Sequence, residues 1–370
     1  MEKETLKLRP AVCVKVIYLF GSSATMGVNF IAEQDAWMSI LLAAIFTFPI
    51  FMIYARIMRL LPGKNLFEIF EVLFGKIGGK VLTVLMGWYA LHLCGMILLD
   101  FTDFIRICIM PETPQLPIMI GIFLVIAYMA KSGVGTMGKW STFMIIVTIL
   151  VIASTVLLSI NKMDFSRMMP IFSHSPATIA ASAVQLVVFP YLEVVTILCA
   201  TGGMEREDNP YKMYTYALLA GTAVLVTICL RNLFVLGPTV VDREYFPSFI
   251  AVKIINVGEI VSRLEGLIAM NFIIAAVLKL TVCLMGAAKG MSHLFGIADY
   301  KKLVMPVGLL AVMISTAVFQ SIMEMRNFLP IYEYYSIPFQ IVIPVIAWIT
   351  AEVKLRRTKN SLLSAGTENT

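Results

Sequence analysis

Two ionisable side chains lie deep inside apolar stretches of this sequence, where a charge is costly and therefore informative. Glu193 follows Pro190 by three residues, and Lys279 lies about 16 residues into another apolar stretch. An ionisable group in the middle of a membrane-spanning helix costs at least about 2.5–3.5 kcal/mol and usually faces a partner or a polar cavity. We therefore expect Glu193 and Lys279 to share one polar cavity, paired directly or through water. A purely structural ion pair remains the alternative.

Four further ionisable groups share the apolar stretch from residue 80 to residue 107. Asp100 and Asp103 lie toward its end, and Arg106 follows Asp103 at the spacing of neighbours on a helix surface. We interpret Asp100 and Asp103, together with Arg106, as a local ion-pair cluster on the helix surface near the outer interface of a membrane. His92 lies deeper, and we expect a hydrogen-bonded buried histidine there rather than a proton relay.

No residue pattern in the sequence fits a catalytic or metal-binding motif. There is no Gly-x-Ser-x-Gly, His-Glu-x-x-His or Walker A pattern, and none of the six cysteines forms Cys-x-x-Cys. An intramembrane enzyme needs a nucleophile and a base together at mid-depth, and no persuasive pair is present. We therefore expect no enzyme activity, no metal and no cofactor.

The elements that must hold these side chains are membrane-spanning helices. The 370 residues are 59% hydrophobic and 14% charged, whereas a soluble domain is nearer ~45–50% apolar and about 25% charged. A transmembrane helix needs about 20 mostly apolar residues. That window predicts ten spans, at residues 11–31, 36–61, 80–107, 116–130, 141–160, 177–201, 213–237, 263–290, 303–322 and 330–350.

The predicted fold class is an all-α polytopic membrane protein with ten transmembrane helices. Residues 1–350 form one domain of two halves, about 11–160 and about 177–350, and residues 351–370 form a polar cytoplasmic tail that we expect to be disordered. We expect the first span to be retained rather than cleaved as a signal peptide. The segment from residue 237 to residue 262 is predicted to carry an amphipathic helix on the outer face.

The charge distribution predicts that both ends lie in the cytoplasm. Cytoplasmic loops carry an excess of Lys and Arg. With the N-terminus inside, 19 of the 29 basic residues fall on the inner side and six on the outer side. The six are Lys162, Arg167, Arg243, Lys253, Arg263 and Arg326, while Lys15, Arg106, Arg231 and Lys279 lie within spans.

Helix breaks are expected at matching places in the first and sixth spans. Residues 21–27 place two glycines and three hydroxyl residues in mid-span, and each glycine weakens a helix by about 1 kcal/mol relative to alanine. Pro190 has no N–H to donate and frees the carbonyl of Leu186. Breaks at corresponding positions of two halves indicate a transporter substrate site. Ordinary kinks with close helix packing are the alternative.

Three local motifs give the chain a family resemblance. They are Asp35-Ala36-Trp37 before span two, Phe189-Pro190-Tyr191-Leu192-Glu193 in span six, and Ser262-Arg263-Leu264-Glu265 opening span eight. With its length, ten spans, basic N-terminus and polar tail, the chain resembles the B subunit of spore-germination nutrient receptors over its full length. These GerAB-type proteins are a branch of the amino acid/polyamine/organocation transporter superfamily. Leu192 stands where members often have a small residue, which would alter the shape of a ligand site.

The resemblance implies the five-plus-five inverted repeat of LeuT-like transporters, with spans one and six discontinuous. It also implies the inner membrane of a bacterial spore, an A subunit and a C lipoprotein as partners, and a small germinant such as L-alanine. By analogy with that fold, Lys279 would take the place of a bound sodium ion. The implied ligand-binding residues are Gly21, Ser22, Ser23, Thr25, Gly27, Phe189, Pro190, Tyr191, Glu193 and Lys279.

The expected function is therefore that of a germinant receptor subunit, which binds a nutrient in a mid-membrane cavity and triggers germination. An amino-acid/cation secondary transporter needs the same polar cavity, and so does a gated water or ion conduit. The residues alone do not separate these three functions, because only the family resemblance favours the receptor.

Overall fold

Helices account for the architecture of the chain. The computed structural model describes residues 5–27, 31–201, 208–254, 265–319 and 322–367. In chain order the α-helices are α1 (Leu8–Met26), α2 (Ala36–Leu60), α3 (Leu66–Cys108), α4 (Gln115–Ser132), α5 (Val134–Ser159), α6 (Pro176–Leu186), α7 (Val195–Ala200), α8 (Pro210–Leu236), α9 (Pro238–Arg243), α10 (Pro247–Lys253), α11 (Glu265–Phe295), α12 (Val304–Val318), α13 (Ile322–Ile337) and α14 (Ile343–Thr367).

Eight helical segments of the described chain are long and apolar enough to cross a membrane. They are Glu33–Leu60, Leu66–Cys108, Gln115–Ser132, Val134–Lys162, Pro176–Ala200, Pro210–Leu236, Gly266–Phe295 and Asn327–Arg356. Each corresponds to one predicted span. The two remaining predicted spans coincide with α1 and with the shorter apolar helix α12. The prediction of an all-helical, multi-pass integral membrane protein is confirmed.

Two helices extend beyond their predicted bounds. α3 begins at Leu66, where the side chain of Asn65 accepts from the Glu68 N–H in a capping box, and it bends at Gly75, whose φ is 72°. Such a positive φ favours glycine, so the bend has a local cause. α14 continues to Thr367. The expectation of a disordered tail from Ala351 was therefore wrong for residues 351–367, which propagate the preceding helix.

The segment after α8 differs in form from its prediction. Two short helices, α9 and α10, replace the single amphipathic helix expected over 237–262. Pro238 and Pro247 each begin one of them, as the fixed φ of proline favours. Phe249 and Val252 are buried, and α10 packs against α8 and α11. Residues 255–262 lie outside the described ranges.

The predicted unwinding of span one was wrong for residues 21–26. α1 runs without interruption to Met26 and ends at Gly27, whose φ is 77°. Ser23 explains part of the difference, since its hydroxyl donates to the carbonyls of Leu19 and Phe20 at 3.2 Å each. Hydroxyl residues often satisfy the preceding helical turn in this way and need not break it.

The predicted interruption of span six is present. α6 ends at Leu186, a π-helical segment covers Val187–Tyr191, and Phe189 has the non-helical angles φ −133° and ψ 115°. The Phe189–Pro190 peptide bond is cis. A short 3-10 turn, Leu192–Val194, then leads into α7. Glu193 therefore projects from an irregular turn instead of a continuous helix.

The motif residue Asp35 anchors the loop that precedes this broken span. Its Oδ1 accepts the Phe172 N–H at 2.9 Å, and its Oδ2 accepts the His174 N–H at 3.1 Å and the Ser173 hydroxyl at 3.1 Å. His174 Nδ1 lies 3.3 Å from the same Oδ2. The carboxylate thus fixes the start of span six against the start of span two.

The interrupted segment lies at the centre of the helix packing. α11 packs along α3 and also contacts α7 and α1. At Gly21 α1 lies close to α11, where an added Cβ would be in ordinary van der Waals contact, at 3.5 Å, with both the Lys279 Cδ and the Ala275 Cβ. Lys279 is therefore enclosed between α1, α3 and the break in span six.

Candidate functional site

A buried ion pair joins α11 to the interrupted segment. Lys279 Nζ lies 2.5 Å from Glu193 Oε2, and the two side chains are 0% and 1% exposed. Of the two arrangements expected, a direct pair and a water-mediated one, the structure has the direct pair. Two buried charges repay their desolvation only with close geometry and further hydrogen bonds, so the remaining groups around Glu193 determine what the pair can do.

A chain of hydrogen bonds ends at the second carboxylate oxygen of Glu193. The Tyr332 hydroxyl donates to Glu193 Oε1 at 2.7 Å, and it lies 3.0 Å from the Tyr89 hydroxyl. Gln340 Nε2 donates to the Tyr89 hydroxyl at 2.7 Å. Because Tyr332 gives its proton to the carboxylate, Tyr89 must donate to Tyr332. All donors in this chain point toward Glu193.

Gln340 also links two irregular backbone segments. It lies in the π-helical segment Pro338–Val342, and its Nε2 donates to the carbonyl of Val188 at 3.1 Å. The sequence predicted that Pro190 frees the carbonyl of Leu186. In the structure, the carbonyl near Pro190 that accepts a side-chain hydrogen bond is that of Val188. π-helical segments are rare and frequent at functional sites, and here two of them contact each other.

Lys279 is surrounded by aromatic rings as well as by its carboxylate. Its Nζ lies 5.1 Å from the centroid of the Tyr18 ring and 5.4 Å from that of Phe189. Ring faces attract cations within about 6 Å. The Tyr18 hydroxyl lies 2.7 Å from Thr196 Oγ1, which itself donates to the Glu193 carbonyl at 2.8 Å. α1 and α7 are therefore tied to the same turn.

A cavity lies on the other side of Glu193. It is bounded by α3, the span-six break and α13, and its volume is about 30 Å³. That is space for roughly one or two water molecules and lies well below the roughly 300–1,000 Å³ of small-molecule sites, so a nutrient would enter only after the walls move apart. The walls are mostly apolar, with three polar side chains among them: Leu93, Met96, Ile97, Asp100, Phe189, Glu193, Met325, Leu329 and Tyr332.

Asp100 belongs to this cavity, and the sequence-based interpretation of it was wrong. It is 2% exposed and lines the space beside Glu193, instead of lying on the helix surface. Asp103 and Arg106 do form the expected pair, at 3.0 Å. The position of Asp100, one turn earlier on α3, directs it toward the centre of the molecule.

His92 is buried, as expected, but it packs against rings. Its ring lies 5.7 Å from that of Trp88 and 5.3 Å from that of Tyr335. Within the described part of the chain its Nδ1 has no hydrogen-bond partner. The expected hydrogen bond is therefore missing at that atom, and aromatic contacts hold the imidazole instead.

The other residues expected from the sequence to bind ligand differ in where they lie relative to the cavity. Phe189 lines the cavity, and Pro190 is buried beside it. The Tyr191 hydroxyl points away, to Thr222 Oγ1 at 2.8 Å. Gly21, Ser23 and Gly27 lie in or at the end of α1, and none of them lines the cavity. The side chains of Ser22 and Thr25 lie outside the described residues, as do residues 262–264 of the third motif.

Several residues of the site were not found from the sequence. Tyr332, Tyr89 and Tyr18 are tyrosines within apolar spans, and nothing in their spacing distinguishes them from the packing aromatics. Gln340 gave a usable signal, because a glutamine two residues after Pro338 within a span resembles the Pro190–Glu193 arrangement. The described residues hold no group of three side chains suited to a metal ion.

Comparison with known proteins decides the family. The family described as "Spore germination protein" matches residues 5–325. The chain belongs to this spore germination protein family. That result confirms the resemblance drawn from the span-two and span-six motifs, and it places the Glu193–Lys279 pair in a germination protein.

Similar proteins in the family come from Bacillus subtilis (strain 168). Spore germination protein KB is 24% identical over 369 residues, with 98% of each chain covered. Putative spore germination protein YfkT is 21% identical over 333 residues, covering 87% of this chain and 88% of its own.

A solved transporter shares the fold of this germination protein. Mhp1, a nucleobase-cation-symport-1 family transporter in a closed conformation with bromovinylhydantoin bound, superposes with a TM-score of 0.63. The match covers 91% of this chain and 77% of the transporter at 12% sequence identity. The likeness at this identity concerns the fold alone.

Proposed function

We propose that this protein is the membrane subunit of a spore germinant receptor, and that it binds a small nutrient in the cavity beside Glu193. The observation that carries the proposal is the position of the Glu193–Lys279 pair. It lies at the break in span six, adjacent to a cavity, in a chain of the spore germination family. An amino acid, with L-alanine as the first candidate, carries the two opposite charges that such a site would bind once its walls move apart.

The proposal includes the ten-span arrangement of two five-helix halves. It is supported by eight membrane-length helices, by α1 and α12 at the remaining two positions, and by the transporter fold likeness. With ten spans and the excess of basic residues on one side, both termini lie in the cytoplasm. The spore inner membrane is the proposed location, and an A subunit and a C lipoprotein are the proposed partners.

Signalling would follow from a change in packing around the interrupted segment. The segment is held by α11 through Lys279, by α13 through Tyr332, and by the second π-helical segment through Gln340. A ligand shifts a conformational equilibrium only by binding one state better than another. A nutrient that contacts Glu193 and Phe189 would favour one arrangement of these three links and pass that change to the partners.

A secondary transporter of an amino acid with cations is the second candidate. The fold likeness to a nucleobase-cation transporter favours it, and so does a lysine buried at the break of a span. Transport requires that the cavity open alternately to both sides, whereas a receptor requires only that binding be communicated to its partners. We place this function second because the family relatives are germination proteins.

The test uses spores that carry this receptor alone. Deletion of its gene should abolish germination on at least one nutrient among amino acids and sugars, and restoring the gene should recover it. Germination that is unchanged by deletion for every nutrient would contradict the receptor function. Uptake of labelled amino acid by vesicles containing this chain alone separates the two candidates, since rapid accumulation indicates the transporter.

A further inference from the structure

Asp100 is a buried carboxylate that accepts no hydrogen bond from the described residues. Its side chain is 2% exposed, and both Oδ1 and Oδ2 lack a hydrogen-bond partner within the described ranges. A buried charge without a partner is strongly unfavourable. Ionisable groups that persist inside a membrane protein under that cost usually serve a ligand, an ion or a proton.

Among the carboxylates around the cavity, Asp100 is the one that accepts no hydrogen bond from the described residues. Lys279 lies in contact with Glu193, and Arg106 lies in contact with Asp103. Glu193 also receives the Tyr332 hydroxyl, so each of its oxygens has a donor. Asp100 lines the same cavity with no such donor. A ligand with a positively charged donor would therefore supply the hydrogen bond that Asp100 lacks.

The cavity walls indicate what kind of cation would fit. The described residues include no group of three metal-ligating side chains, and a hard metal ion takes six or more oxygen ligands. Five wall residues are Leu or Ile or Met, and Phe189 presents an aromatic ring to the same space. Apolar walls in which Asp100 is the one carboxylate without a donor among the described residues suit an organic ammonium group whose carbon chain contacts those walls.

We propose that Asp100 is the counter-ion of a small organic ammonium group, such as the α-ammonium of an amino acid, bound in the cavity between α3, α13 and the span-six break. This inference rests on the proposed nutrient-binding function and deepens it. The ammonium end of the nutrient faces α3. Asp100 is then the side chain that distinguishes an amino acid from the corresponding carboxylic acid without the amino group.

The experiment measures ligand-induced thermal stabilisation of the full chain in lipid nanodiscs. The probes are the standard L-amino acids and ethylammonium, propylammonium and isobutylammonium chlorides, with NaCl and KCl at matched ionic strength. Each amino acid that raises the unfolding midpoint is compared with its des-amino carboxylic acid. The variants are Asp100→Asn and, as the matched control, Asp103→Asn, which alters the neighbouring buried acid that pairs with Arg106.

The expected result is stabilisation of the wild type by at least one ammonium compound and by none of the des-amino acids. The half-effective concentration should rise at least about tenfold in Asp100→Asn, because the charged partner of the ammonium is lost. Asp103→Asn should stay close to the wild-type concentration. Equal binding by Asp100→Asn, equal binding of a des-amino acid, a response to Na⁺ or K⁺ alone, or no response to any ammonium probe would overturn the proposal.

Asp100→Asn is expected to fold, since it removes a buried unpaired charge. If it does not, Asp100→Glu provides the test, because it keeps the charge and moves it by one methylene. The ligand concentration that gives half of the thermal stabilisation should change in Asp100→Glu, and the des-amino acids should still not stabilise the protein. An unchanged half-effective concentration would count against the proposal. Germination of spores distinguishes the ammonium-site proposal from the receptor function on which it rests. If deletion of the gene abolishes nutrient germination but Asp100→Asn spores respond normally, the ammonium site is wrong and the receptor function stands.

Discussion

Lys279 Nζ lies 2.5 Å from Glu193 Oε2, so that one salt bridge fastens the straight helix α11 to the turn that interrupts span six. Both side chains are excluded from the surface. Such a pair has two separable roles, which are to hold the break in place and to present charge to a ligand. Substitutions at the pair and at its neighbours separate these roles.

Lys279→Met should leave Glu193 as an uncompensated buried charge. Removing one partner of a buried pair typically costs about 3–5 kcal/mol, so the variant should be less stable and less abundant in the membrane. The double variant Glu193→Gln with Lys279→Met should recover much of that loss. Thermal unfolding of the three proteins in detergent measures this coupling. Lys302→Met, at an exposed position, is the control and should match the wild type.

If the double variant is stable but insensitive to nutrient, the pair contributes to ligand response as well as to structure. If the double variant is as unstable as Lys279→Met, the pair does not act as a unit and the coupling argument is wrong.

Tyr332→Phe should weaken the site without changing its shape. The change removes the donor to Glu193 Oε1 and the acceptor for Tyr89. Loss of one partner of a buried hydrogen bond costs about 1–3 kcal/mol, which should appear as a lower unfolding midpoint. Tyr334→Phe makes the same chemical change two residues away at a position 76% exposed. Equal midpoints for the two variants would contradict the directed chain of hydrogen bonds.

Asp35→Asn should loosen the loop that leads into span six. Asparagine keeps one carbonyl oxygen but loses the charge and the second acceptor, so the bonds to the Phe172 and His174 amides weaken. Hydrogen bonds to charged groups contribute about 1.5–3 kcal/mol, which corresponds to roughly tenfold or more in local opening. Hydrogen–deuterium exchange at those two amides should accelerate accordingly.

Asp164→Asn serves as the control for the loop. Asp164 accepts from the Ser166 N–H on the same loop between α5 and α6, so its replacement should accelerate exchange at Ser166 and leave residues 172–174 unchanged. If the Phe172 amide of Asp35→Asn exchanges no faster than in the wild type, the carboxylate does not hold the loop.

The sequence was sufficient for the features that depend on local chemistry. Apolar runs of membrane length located the helices, and Pro190 located the break in span six, because a residue without an N–H disrupts a helix in any context. The hypothesis that Glu193 and Lys279 share a site, paired directly or through water, followed from the cost of burying either one alone. Each of these inferences requires only one segment or one energetic rule.

The features that failed depend on contacts between distant segments. The glycines and hydroxyl residues of α1 do not unwind it before Gly27, since Ser23 bonds within its own helix and Gly21 packs on α11. Asp100 was assigned to the surface because spacing on one helix does not reveal which face turns inward. Tyr332 donates to Glu193 across 139 residues of chain, and Gln340 donates to the Val188 carbonyl across 152 residues, which no local pattern encodes.

The central claim is that the cavity beside Glu193 binds the nutrient, and filling that cavity tests it most directly. Met96 lines the cavity, whereas Leu85 on the same helix is 40% exposed. Germination of spores carrying only this receptor should be measured against nutrient concentration for Met96→Phe and Leu85→Phe at matched protein levels. We predict a half-saturating concentration at least about tenfold higher for Met96→Phe, since added bulk competes with the ligand, and no change for Leu85→Phe. Identical dose–response curves for wild type and Met96→Phe would contradict the account.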